Sequence, residues 1–312
     1  MPDLRREVAD LRHIRPMEAD RAAPVTAPRA GAEVVGGSRA WQAGGPMEHP
    51  TGLAVTEQVP PTRRTGDPVV VLVHGSLDRA GSFARVCRRL GELHVITYDR
   101  RGYQGSRHLP IADGFVGHVD DLLAVIGGRP AVVVGHSYGG DIALAAATAP
   151  GSTIEAVAAY EPPLPWLPFW NRRPAVGGGG PADDDPSAAA ERFFRRVVGS
   201  DAWERLSDAG RGGRRADGPA LVSELRALRA GGPAVDPAAI TVPALYGRGG
   251  RSRDHHRAGV AWLADHTPHA AIVEFPGAGH GAHLTHPDAF AAFVRQAVAL
   301  AGQAASAQEV PA

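Results

Sequence analysis

The chain has 312 residues, 44% of them hydrophobic, which is enough to bury one sizeable core together with an insertion, and its formal net charge is zero. With no basic stripe, neither nucleic acid nor an anionic membrane is expected as a partner, which leaves a small-molecule substrate. All 33 cationic residues are Arg, so a Walker-type phosphate loop, a Schiff-base lysine and a serine-lysine dyad are excluded, and the single Cys87 cannot form an intrachain disulfide.

Residues Met1 to Asp20 are rich in Arg and acids and contain no apolar stretch of signal-peptide length, and no later run reaches the ~18 apolar residues of a membrane span. A cytoplasmic protein is expected. From Pro16 to Pro50 the chain is mostly Ala, Gly and Pro, so residues 1–50 read as a disordered tail, with order beginning near Thr51.

Leu53 to Gln58 then reads as an edge strand, Val69 to Val73 as a buried strand and Ser82 to Leu90 as a helix carrying Cys87. Leu93 to Tyr98 follows as a strand, Phe115 to Ile126 as a helix, Ala131 to Val134 as a strand, Asp141 to Ala149 as a helix and Ile154 to Tyr160 as a strand. This alternation predicts an α/β fold: a mainly parallel sheet with helices on both faces.

The alternation then breaks. Pro162 to Asp185 reads as a loop, and three amphipathic helices are expected at Ser187 to Val198, Asp201 to Ala209 and Pro219 to Arg229. Strands return at Val242 to Tyr246 and Ala270 to Phe275, with a closing helix at Pro287 to Leu300. One domain over 51–301 is therefore expected, with a helical cap inserted at about 162–236 and a disordered tail at 302–312.

Gly135-His136-Ser137-Tyr138-Gly139 lies between a strand and a helix. A G-x-S-x-G there is a nucleophile elbow: the serine occupies a sharp turn, and the flanking glycines let strand and helix pass closely. Ser137 is the expected nucleophile, and it needs a base to take its proton.

Four further pieces follow in order: His74-Gly75-Ser76 after strand 69–73, Asp99-Arg100-Arg101-Gly102 after strand 93–98, the elbow's continuation Tyr138-Gly139-Gly140, and Phe275-Pro276-Gly277-Ala278-Gly279-His280. Together they resemble the α/β-hydrolase superfamily from Val69 to about Leu300. The resemblance implies an α/β-hydrolase sheet, His280 as base, and an oxyanion hole built from the backbone N–H of Tyr138 and that of Ser76 or Leu77. His283 and His286 raise a metal site as the competing reading of His280, but the glycines flanking His280 favour a loop and no thiolate or obvious carboxylate joins them.

The acid has two candidates. The family commonly carries it in a G-x-x-D turn after the strand at 242–246, where this chain has Gly247-Arg248-Gly249-Gly250. Asp254 follows four residues later but is also explained as a helix N-cap. Glu161, directly after strand 154–160, resembles the acid of members such as haloalkane dehalogenases, which place it one strand earlier; a structural role for Glu161 stays open.

Trp166, Phe169 and Trp170, with Phe193 and Phe194, either line an apolar substrate pocket or pack the cap. The resemblance implies an esterase-like serine hydrolase needing no metal or cofactor, acting on a small, largely apolar ester or, less readily, an amide. The fold also hosts C–C hydrolases, lyases and non-catalytic binding proteins, and Gly250 is the feature that favours the last. Oligomeric state is not legible.

Overall fold

A computed structural model describes residues 47–64, 66–112, 114–170, 185–230 and 235–308. Its centre is an eight-stranded sheet in the order β1-β2-β4-β3-β5-β6-β7-β8. The strands are β1 (Met47–Glu48), β2 (Ala54–Gln58), β3 (Val69–Val73), β4 (Val95–Tyr98), β5 (Ala131–His136), β6 (Ile154–Tyr160), β7 (Ala244–Gly249) and β8 (Ala270–Phe275). From β4 to β8 every neighbouring pair is parallel, and only β1 and β2 run against their neighbours. Central strands of a parallel sheet are covered on both faces, which is why β3 and β5 read as unbroken apolar runs and are buried at every position.

One face is covered by α2 (Gly114–Ile126), α3 (Tyr138–Ala147) and α8 (Asp254–His266), and the other by α1 (Ala84–Cys87) and α10 (Pro287–Gln308), with the short α9 (Ala282–Thr285) leading into α10. Between β6 and β7 lie four cap helices: α4 (Pro186–Val197), α5 (Ser200–Glu204), α6 (Asp208–Ala216) and α7 (Gly218–Ala230). Three of them, α4, α5 and α7, share a small core of their own, which includes Phe194, Trp203, Leu221 and Leu225.

Several expectations need correction. The sheet starts before Thr51, because Met47–Glu48 pairs with β2; the rest of the expected N-terminal tail lies outside the described residues. The expected C-terminal tail is helical as far as Gln308, since its run of Ala and Gln has high helix propensity and continues α10. The helix expected over 201–209 stops at Glu204, and a separate α6 follows, capped by the Ser207 side chain on the Gly210 N–H. The helix expected over 82–90 is a 3-10 turn at Ala80–Phe83 running into the single α turn of α1. Much of the expected loop at 162–185 lies outside the described residues.

Candidate active site

The site is assembled at the carboxyl ends of β3, β5, β6, β7 and β8. Ser137 follows β5 directly, with φ 53° and ψ −128°, a conformation that costs an L-residue about 1–3 kcal/mol and persists only when its surroundings impose it. The surroundings are backbone. A Cβ on Gly135 would lie 2.1 Å from the Gly139 carbonyl oxygen, and one on Gly139 would lie 2.3 Å from that of Val73. The turn can therefore form only with glycine on both sides of the serine. Tyr138 opens α3, so its N–H is a first-turn donor with no intrahelical acceptor.

Glu161 follows β6 as Ser137 follows β5. The two strands pair in register up to His136 and Tyr160, and the Ser137 N–H donates to the Tyr160 carbonyl at 2.8 Å, so the two residues emerge side by side. Glu161 also has positive φ, 48°, and its side chain is fully buried. One carboxylate oxygen accepts from the Gly249 N–H at 2.7 Å, and the other lies 2.8 Å from His280 Nδ1. The structure thus brings Glu161 and His280 together, whereas Asp254 is 94% exposed and, among the described residues, pairs with Arg257. Nor does Asp254 cap α8: it is the first helical residue, Arg253 holds the cap position, and no side-chain cap bond is made.

The loop carrying His280 is held by the residues that precede Ser137 and Glu161. His136 Nε2 donates to the His280 carbonyl at 2.8 Å, and the Tyr160 hydroxyl donates to that of Gly279 at 2.8 Å. Sequence reasoning passed over both residues. With Nδ1 of His280 donated to Glu161, its Nε2 is left as the lone-pair nitrogen, the tautomer a base requires.

The turn after β3 approaches from the other side: a Cβ on Gly75 would lie 2.9 Å from that of Ser137. Ser76 donates its hydroxyl to Glu224 at 2.6 Å, and the Leu77 N–H points to the Tyr103 hydroxyl at 3.4 Å. Of the two expected second donors, the Ser76 amide is therefore the one with no competing partner of this kind among the described residues. Behind the turn, fully buried Arg100 donates to the carbonyls of His74 at 3.0 Å and Gly75 at 2.9 Å, and to Glu224 at 2.5 Å. Burial pushes the His74 imidazole down to about 3, reinforced by Arg100, so it is neutral, with Nδ1–H donated to the Gly75 carbonyl and Nε2 accepting from the Arg100 N–H.

The histidine cluster differs from the expected one. His286 is half-buried and pairs with Thr285, while His283 is buried against Phe83 and Phe290 and lies 3.1 Å from Asp78. Among the described residues, two groups have ligating atoms within 4.8 Å of one another, Asp78-His136-His283 and Glu161-His256-His280. In the second, the His256 and His280 rings stack at 4.5 Å and 20°, so their lone pairs lie in nearly parallel, offset planes and do not converge on one ion. Burial, followed by the charge of His280, holds His256 well below the usual imidazole range.

The aromatic residues are dispersed. Trp170 packs on His255 and His256 at 4.6 and 5.2 Å, Trp166 packs half-buried against the main core, and Phe169 is 43% exposed. Phe193 and Phe194 belong to the cap core.

A mainly parallel sheet with a strained serine at the end of its central strand, and an acid and histidine joined at the ends of later strands, defines an α/β hydrolase. The chain belongs to the alpha/beta hydrolase family, whose sequence pattern matches residues 70–293. It is similar to an alpha/beta hydrolase from Sphaerobacter thermophilus, at 28% identity and a TM-score of 0.59, over 81% of this chain and 99% of that one. An esterase from Thermogutta terrifontis shares the fold at 19% identity and a TM-score of 0.57, over 78% of this chain and 92% of the esterase. So does the 2-hydroxy-6-oxo-6-phenylhexa-2,4-dienoate hydrolase of a Rhodococcus species, at 19% identity and a TM-score of 0.57, over 78% and 94% of the two chains. No curated protein matches the sequence. Among the described residues, no helix is long and apolar enough to cross a membrane.

Proposed function

We propose that the protein is a serine hydrolase that cleaves an ester of a small, largely apolar acid through an acyl-enzyme. The observation that carries this reading is the Glu161-His280 hydrogen bond at 2.8 Å, made at the strand ends beside the elbow serine. His280 Nε2 takes the Ser137 proton as Oγ attacks the ester carbonyl. The N–H groups of Tyr138 and Ser76 hold the oxyanion, and the buried Glu161 carboxylate stabilises the imidazolium. Collapse of the tetrahedral species breaks the carbonyl–alkoxy bond, and the alcohol leaves with the proton from His280. Water then repeats the sequence on the acyl-enzyme. No step requires a metal or cofactor. Trp166, Phe169 and Trp170 are the candidates for the apolar acyl subsite, with Trp170 best supported because it packs on the histidine that stacks on His280.

Gly250, which favours a non-catalytic binding protein, loses weight because Glu161 already supplies a carboxylate to His280. Reaction with a fluorophosphonate tests the reading: wild type should be labelled at Ser137 and should hydrolyse p-nitrophenyl esters. Ser137→Ala should do neither, with kcat lower by about 10⁴ to 10⁶. Unlabelled, inactive wild type favours the binding protein, and turnover of vinylogous diketones without esters favours C–C hydrolysis.

A further inference from the structure

The turn between β3 and the 3-10 helix is bound as much to the cap as to the sheet. Glu224 of α7 receives the Ser76 hydroxyl on one oxygen and Arg100 Nη1 on the other, and Arg214 of α6 donates to the Leu77 carbonyl. Leu77 itself is 4% exposed and, among the described residues, is the one from outside the cap that is a buried member of the cap core, beside Phe194, Trp203 and Leu221. Its φ of 54° is one that a branched side chain adopts only when packing imposes it. The cap supplies that packing.

We infer that Glu224 is a positioning residue of the hydrolytic reaction, fixing the direction of the Ser76 N–H so that the oxyanion hole is complete only while the cap is seated. This rests on the serine-hydrolase reading above. Arg100 holds the two carbonyls of the turn from the sheet side, but its charge is matched from the cap side, by Glu224. Lifting α7 would take away the acceptor of Ser76 and the counter-charge of Arg100 in one movement. The turn would then be free to rotate its amide away from Ser137. An oxyanion donor acts through direction as well as distance, and loss of one costs about 10² to 10³ in kcat.

The test uses the full chain and three readouts: fluorophosphonate labelling, kcat and KM for p-nitrophenyl butyrate, and inhibition by a trifluoromethyl ketone, which adds Ser137 to form a tetrahedral oxyanion. Glu224→Gln should lower kcat by about 10², change KM less than about threefold, and weaken the ketone in parallel with kcat. Asp217→Asn is the control, because it breaks another buried cap contact, to Arg107 at 2.6 Å and the Gln104 N–H at 3.2 Å, without touching the turn. It should leave kcat and ketone affinity within about threefold. Equal behaviour of the two variants overturns the inference. Where Glu224→Gln does not fold, Ser76→Ala keeps the Arg100-Glu224 pair and removes one hydrogen bond; ketone affinity about tenfold lower supports the inference, and unchanged affinity overturns it. Wild type that is neither labelled nor active removes the hydrolase reading and this inference with it, whereas active wild type with an unaffected Glu224→Gln removes this inference alone.

Discussion

The Glu161 carboxylate accepts the Gly249 amide at 2.7 Å, so the acid from the end of β6 reaches across to the last residue of β7, within the Gly247-Gly250 stretch where the family more often carries its own. The second oxygen is thereby aimed at His280. Glu161→Gln keeps this shape and removes the charge. It should lower kcat by roughly 10² to 10⁴, while Asp254→Asn, at a side chain 94% exposed, should stay within about twofold of wild type. Steady-state kinetics on one ester decides, and the reverse ranking would place the acid on α8.

Acid should unfold the protein earlier than it titrates the carboxylates. His74, His118 and His136 are all buried, and each is held below its ordinary imidazole pKa, first by burial and then by Arg100 or neighbouring histidines. A base with a depressed folded-state pKa takes up its proton more readily in the unfolded chain. Stability is therefore full above about pH 6.5 and falls as the pH drops through that value. At pH 5.5 the loss from His74, held near 3 in the folded chain, is about 1.4 kcal/mol, and His118 and His136 add to it in the same direction. Urea unfolding at pH 7.5 and 5.5 measures it, and His118→Asn should shrink the difference. A flat profile refutes the neutral assignment.

Gly139→Ala should abolish soluble folded protein, since its Cβ would sit 2.3 Å from the Val73 carbonyl, which belongs to the rigid β3. Gly281→Ala, where nothing lies within 4 Å, should express and melt like wild type. Circular dichroism of the two purified variants compares them. A folded Gly139→Ala would mean that the elbow is wider than described.

Trp170→Ala should shift the preference between acetyl and octanoyl p-nitrophenyl esters by about tenfold or more, because it removes the ring against His255 and His256. Phe169→Ala, at a residue 43% exposed, should shift it little. An unchanged profile for Trp170→Ala with a lowered melting temperature would make that residue a packing element of α8.

The sheet was legible because buried parallel strands leave unbroken apolar runs, and β6 and β8 carry the predicted limits. The α6 helix was hidden for the opposite reason: Gly210, Gly212 and Gly213 weaken its helix propensity, and it buries no residue, so it leaves no apolar period. Ser207, which caps it, was the available signal. The elbow announces itself through glycines that its geometry demands. Glu224 does not, because its partner Ser76 lies 148 residues away, and a glutamate on an amphipathic helix ordinarily faces solvent. His136 and Tyr160 are similarly silent, since each acts through a backbone carbonyl of a distant loop.

The burial of Leu77 among cap side chains has a consequence for protein engineering. Caps on this fold invite exchange between homologues, on the view that an insertion can be cut at its two junctions. Here the junctions at β6 and β7 are not the only seam. A graft that replaces residues 186–230 and leaves the donor's counterparts of Leu77 and Ser76 behind would bring a foreign hydrophobic socket to a leucine shaped for another. A viable chimera would have to transplant the cap together with the Ser76-Leu77 turn, and recombination between relatives would face the same restriction.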